Sequence, residues 1–284
     1  MSTEYLKEQE RQDAELRARK DRLYHKLNQS PIAEVTGIVD ASGAYGSKSR
    51  GDELWTVLFT FVSWRDHEGT LHRSELTVRR EVEEEKLRAL QDCFPPYRIV
   101  RLQARIGEDE AFTMPQAVLL EVLEAKAADP ELEAIAAGLQ EPVALRSKKL
   151  GKLHLDRSVG WYEAEVRLGW KRVKVRLHPD SVEKPAAVIA AGERLWSSVR
   201  ELDGQARERA VAELLDTKNG SWLENGQIAL TAAQFKKSMK LQSIVIEEDE
   251  SFEFWYGDGG LFWGHLINVS GSFGKGFTDA SIQG

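Results

Sequence analysis

Residues Phe252 to His265 read FEFWYGDGGLFWGH. A histidine among aromatic rings, with Asp258 or Asp279 as an acidic partner, has the residue types of a general-base site. A hydrolase centred on His265 is therefore one reading. Strand alternation gives another. Phe252, Phe254 and Tyr256 share one face of a strand, and Glu253 and Trp255 the other. Gly257-Asp258-Gly259-Gly260 supplies a hairpin turn. The return strand, begun at Leu261, sets Leu261, Trp263, His265, Ile267 and Val269 on one face and Phe262, Gly264, Leu266 and Asn268 on the other. Both faces are then largely apolar, as in a central hairpin covered on both sides, and His265 is a hydrogen-bonded core histidine. Trp255, Tyr256, Asp258 and Trp263 are the partner-binding candidates, since aromatics beside a glycine-rich turn make good interface anchors. Trp255 is expected to be exposed.

The remaining motifs lack parts that their chemistry needs. Gly271-Ser272-Phe273-Gly274-Lys275-Gly276 has glycine where a phosphate loop has Ser or Thr, and a strand follows it rather than a helix. His178-Pro179-Asp180 matches the co-chaperone tripeptide but ends a strand, where turn chemistry explains it. Glu247-Glu248-Asp249-Glu250 points four acids in divergent directions, unlike the converging oxygens of a calcium site. His25, His67, His72, His154, His178 and His265 are scattered without metal-ligand spacing, so no metal and no cofactor is expected. Cys93 sits before Pro95-Pro96 at a helix end and reads as a small hydrophobe.

Net charge is −7 over 284 residues, with one cysteine. A single cysteine forbids an internal disulfide and fits a reducing, cytoplasmic setting. The first residues are densely charged, unlike a signal peptide, and no apolar run approaches the length of a membrane span. Residues 32–125 carry 11 Lys/Arg against 17 Asp/Glu, and residues 146–284 carry 20 against 19. Neither half has the net cation surplus that replaces phosphate counterions, which disfavours nucleic acid.

The elements that must position these residues fall into two domains. A charged helical arm (1–30), with Leu6, Leu16, Leu23 and Leu27 thinly spaced, is expected to pack loosely or fray. In 31–125, three strands, a helix and two strands resemble the OB-fold, a five-stranded Greek-key barrel. That resemblance implies a groove for single strands, for which Lys48, Arg50, Arg73, Arg79, Arg101 and Arg105 are the nucleic-acid candidates. A helical linker (126–149) leads to residues 150–284: three strands, helices broken at Asp203-Gly204, a capping box at Thr231–Gln234, then four strands. The fold class is thus α+β, a barrel followed by an antiparallel-sheet domain with a helical insert.

Residues 150–284 resemble a bacterial family, domain of unknown function 2262. The resemblance rests on LGKLHLDRSVGWYEAEV (Leu150–Val166), AELLDTKNGSW (Ala212–Trp222), MKLQSIVIEEDESFEFWYGDGGLFWGHLINVSG (Met239–Gly271) and GFTDASIQG (Gly276–Gly284). The family carries no catalytic residues over, and its turn is expected to be more acidic than Gly257-Asp258-Gly259-Gly260. Similar small β-rich domains occur among bacterial immunity proteins. The leading reading is a non-catalytic protein that binds a macromolecular partner, most simply a protein, in toxin immunity or a related conflict system. Single-stranded nucleic-acid binding by the barrel and the His265 hydrolase are the alternatives, and no membrane association is expected.

Overall fold

The computed structural model describes residues 3–108, 112–223 and 226–284, excluding the side chains of residues 3–10, 12, 13 and 16. Leu6 and Leu16 therefore lie outside the described side chains. Among the described residues no helix is long and apolar enough to cross a membrane. The chain divides into two compact units, Met1–Glu141 and Pro142–Gly284.

The first unit runs α1 (Thr3–Gln29), β1 (Ile32–Val39), β2 (Tyr45–Ser47), β3 (Trp55–Arg65), β4 (Leu71–His72), β5 (Leu76–Val82), α2 (Glu84–Gln91), β6 (Ile99–Gly107), β7 (Gln116–Glu124) and α3 (Pro130–Gln140). The five long strands pair in the cycle β1-β3-β5-β7-β6 and back to β1, so the sheet closes on itself. The β5–β7 pair is parallel and the other four are antiparallel. This is the barrel that the element order predicts. Alternating residues explain its core: Phe59, Phe61, Leu76, Val78, Val100, Leu102 and Ala104 are buried together with Phe94. Gly37 lies where β1 crosses the Phe61 ring, and a Cβ there would sit 2.4 Å from that ring. α1 is better anchored than its sparse leucines suggest, because Leu23 and Leu27 are buried against Val118 and Phe112. Lys20 bridges Asp52 at 2.9 Å and Glu81 at 2.8 Å, which fixes the helix on the barrel.

The second unit runs β8 (Ala144–Ser147), β9 (Gly151–Asp156), β10 (Trp161–Leu168), β11 (Lys171–His178), α4 (Ala186–Ser197), α5 (Val199–Ser221), α6 (Ala232–Ser238), β12 (Lys240–Glu247), β13 (Ser251–Gly257), β14 (Leu266–Ser272) and β15 (Gly276–Gln283). Its eight strands lie side by side in sequence order. The β11–β12 pair is parallel, because the three helices carry the chain back between those strands. Strand β8 falls in what the sequence reads as linker. The helical break falls at Ser198 and not at Asp203-Gly204, which α5 passes through. Asp203 has a reason to sit inside that helix: it receives the Tyr256 hydroxyl at 2.8 Å and Nε of Arg207 at 3.1 Å. Thr231 and Gln234 form the capping box that opens α6.

One face of this sheet is apolar and meets the helices. Val173, Val175 and Leu177, Ile244 and Ile246, Phe252, Phe254 and Tyr256, Ile267 and Val269 pack on Val188, Leu195, Ala206, Ala210 and Leu214. The opposite face of the hairpin carries Glu253, Trp255 and Asn268. Glu253 and Trp255 are half-buried and Asn268 is buried, and all three are hydrogen-bonded together, so the expectation of a hairpin with two apolar faces is corrected.

Candidate functional site

The stretch that opens as a hairpin turn is a longer, side-chain-built loop. β13 ends at Gly257 and β14 begins at Leu266, the two being register partners, so residues 258–265 lie outside the ladder. The predicted return strand over Leu261–His265 is therefore corrected. The cause is Asp258, a buried carboxylate. Its Oδ2 accepts the backbone N–H of Phe262 at 2.6 Å and of Gly264 at 3.2 Å, and its Oδ1 accepts that of Gly260 at 3.1 Å. These bonds take the place of ladder bonds and fold the chain around one side chain. Such a curl needs left-handed backbone: Gly259, Gly260 and Gly264 have φ of 62°, 90° and 94°, and Trp263 adopts φ of 56°.

That last value matters, because a bulky residue at positive φ is an outlier that its surroundings must enforce. Here the enforcement places Trp263 outward, with 62% of its surface exposed. Its ring leans on Trp222 at 4.7 Å, and Trp222 meets Phe262 edge-on at 5.4 Å. Phe262 is buried and plugs the loop into the core. The loop thus has a fixed root and a displayed indole.

Burial works against ionisation of Asp258, but the three N–H donors and the nearby His265 outweigh it and hold the carboxyl below its usual range. A carboxylate whose pKa is lowered by folding adds stability above its unfolded value, lost as pH falls through the folded one. The amides of Phe262 and Gly264 are thus expected to stay protected from exchange while ordinary carboxylates titrate, and to open only at more acidic pH. Opening at or above the ordinary carboxylate range would contradict this. Hydrogen exchange followed by NMR measures it.

The catalytic candidates do not assemble. Both oxygens of Asp258 are engaged by backbone donors, and Asp279 is an exposed residue of β15 paired opposite Ser270. His265 is half-buried, edge-on to Trp222 at 5.5 Å, and among the described residues no hydrogen bond joins its ring to either acid. The expected hydrogen-bonded core histidine is corrected to this half-buried aromatic contact. Among the described residues no group of three or more His, Cys, Asp or Glu could hold a metal ion.

Of the partner-binding candidates, Tyr256 is fully buried with its hydroxyl on Asp203, and Asp258 is internal; neither can touch a partner. Trp255 is half-buried, its indole N–H donating to Glu253 at 2.8 Å, and not the exposed anchor expected. Trp263 alone of the four is exposed.

The barrel cations are mostly engaged in the fold. Arg101 meets Glu124 and lies 3.8 Å from Glu34, and Arg105 donates to the Ser30 carbonyl. Arg79 donates to Gln116 and lies over Phe112, with burial holding its guanidinium below its usual range. Arg73 reaches Glu131 at 3.7 Å, Lys48 stands 5.8 Å from the Trp55 ring centre, and the Arg50 carbonyl receives Arg17. Arg79, Arg101 and Arg105 are thus ties within the barrel, and Arg73 reaches α3.

Residues 147–282 match the family described as "Uncharacterized protein conserved in bacteria (DUF2262)". Residues 19–139 match a second family, "Domain of unknown function (DUF7021)". No curated protein matches the chain. Among solved structures, a deletion mutant of the single-stranded DNA binding protein from Thermus aquaticus aligns over 51% of this chain and 73% of its own, at 9% identity and a TM-score of 0.22. An overlap so low carries no argument.

Proposed function

We propose that the chain is a non-catalytic binding protein that captures a macromolecular partner, a protein, through the Trp263 loop. One observation supports this reading above others: an exposed tryptophan held at positive φ by a buried carboxylate. Folding alone gives no reason to hold a large apolar ring in water on strained backbone. A rigid, pre-ordered aromatic loses little entropy on binding and is the residue type that dominates interfaces. A toxin is the finer partner class, by analogy with small β-rich immunity domains, in a cytoplasmic immunity role; its activity would fall on addition of the chain.

The test is capture of partners from the native host by the wild-type chain and by Trp263→Ala, side by side. The expected loss is about 100-fold in affinity, in the range of interface anchors. The variant should keep its melting temperature, since Trp263 is largely in solvent. Equal capture by a folded Trp263→Ala protein would refute the proposal.

A further inference from the structure

The face of the second unit's sheet that points away from its own helices carries a second anomaly, independent of the Trp263 loop. Between residues 144 and 178 the chain has ten Lys/Arg and three Asp/Glu, although the whole C-terminal half is near neutral. Alternation sends Leu145, Leu153, Leu155, Val166 and Val173 to the helix side. Arg146, Lys152, Arg167, Arg172, Lys174 and Arg176 fall on the other face. Register then sets Arg146 directly opposite Lys152, and Arg167 directly opposite Arg172. Like charges facing each other across strands destabilise a sheet.

Two glutamates offset part of this charge. Glu165 pairs with Arg172 at 3.0 Å, and Glu163 pairs with Lys174 at 3.4 Å and Arg176 at 2.9 Å. Among the described residues no carboxylate pairs with Arg146, Lys152 or Arg167. Aromatic rings punctuate the same region. Trp170, at the β10–β11 turn, is 88% exposed, with the Lys171 ammonium 5.2 Å from its ring centre. Trp161 stacks on His178 at 4.7 Å with Arg176 over it at 5.0 Å. Trp255 lines a groove of about 610 Å³ with Arg172, Lys174, Arg176, Ser243 and Leu266.

We infer that this face binds single-stranded nucleic acid, its phosphates on the Arg146–Lys152 and Arg167–Arg172 pairs and its bases on Trp170 and Trp255. Unpaired cations supply the counterion-releasing contacts. The exposed Trp170 at a turn and the groove-lining Trp255 supply stacking platforms that a duplex, with its bases already stacked, does not use. Charge complementarity selects a polyanion, and the rings select one with free bases.

Fluorescence anisotropy of a labelled 20-nucleotide single strand in low salt tests this on the full chain. Micromolar or tighter binding is expected, with weaker binding to the duplex of the same sequence. Arg167→Glu should weaken binding at least ten-fold and flatten its salt dependence, while raising the melting temperature by removing a like-charge pair. Trp170→Ala, fully on the surface, should weaken binding about ten-fold. Lys237→Glu, on α6, should change nothing. Absence of binding, with Arg167→Glu merely more stable, would overturn the inference. Equal binding of duplex, or equal competition by polyglutamate, would overturn it too, in favour of an unselective cationic surface.

Discussion

Gly259→Ala is expected to lower the stability of the second unit by about 3–5 kcal/mol, in the range of severe overpacking combined with backbone strain. Two effects coincide at this residue. Its φ of 62° is left-handed, where any Cβ is strained, and an added Cβ would lie 2.3 Å from the backbone oxygen of Ser238. A carbonyl at the end of α6 cannot swing aside like a side chain. The loop must move, and Asp258 then loses its grip on the amides of Phe262 and Gly264. Urea unfolding combined with hydrogen exchange at those amides measures both consequences. A variant that unfolds at the wild-type urea concentration would mean that the loop is softer than its bonds imply. Partner capture should fall with it even at temperatures where the variant remains folded.

The second large effect belongs to the barrel. Gly37→Val is expected to cost the first unit about 3 kcal/mol or more, because its Cβ alone would lie 2.4 Å from the Phe61 ring. Phe61 cannot yield easily: it is fully buried and packs edge-on to Phe59 at 5.4 Å, while Phe59 stacks on Phe94 at 3.9 Å. Exchange protection should drop first in β1 and β3, whose register places Gly37 opposite Trp64 and Val39 opposite Phe61. A double variant, Gly37→Val with Phe61→Leu, should lose less than the sum of the two single variants if the clash is its cause. Additive losses would point instead to the strand's twist.

How much of this was legible in the sequence differs between the two units. Barrel order follows from local signals: alternation in Tyr97–Ile106, β-branched and aromatic residues in Leu54–Trp64, and the Pro95-Pro96 stop before the fourth long strand. Closure adds the non-local pairings of β1 with β6 and of β5 with β7. The Asp258 loop was not legible by the same means. Leu261, Phe262, Trp263, Gly264 and His265 read as a strand covered on both faces, and that pattern cannot register a carboxylate that reaches amides two, four and six residues ahead. The available clue was chemical, an aspartate followed by Gly259, Gly260 and Gly264, which together permit the positive φ values such a curl needs.

Charge was misleading for a related reason. A near-zero balance over residues 146–284 averages the basic strands β8–β11 against an acidic stretch at residues 247–258, whereas a ligand meets one face at a time. The opposition of Arg167 and Arg172 exists only once β10 and β11 are in register. In the barrel the bias ran the other way. Arg101 and Arg105 alternate outward as a groove residue would, yet the carboxylates and the Ser30 carbonyl that engage them come from elsewhere in the chain.

The central claim, that Trp263 is held outward to meet a partner, is tested most directly by photo-crosslinking from its own position. A benzophenone amino acid in place of Trp263, irradiated in the native host, should give one discrete protein adduct. The same probe at Val159, an exposed apolar residue of the β9–β10 turn, should not give it. A discrete adduct from position 263 alone is the predicted result. No adduct, or the same adducts from both positions, would contradict it.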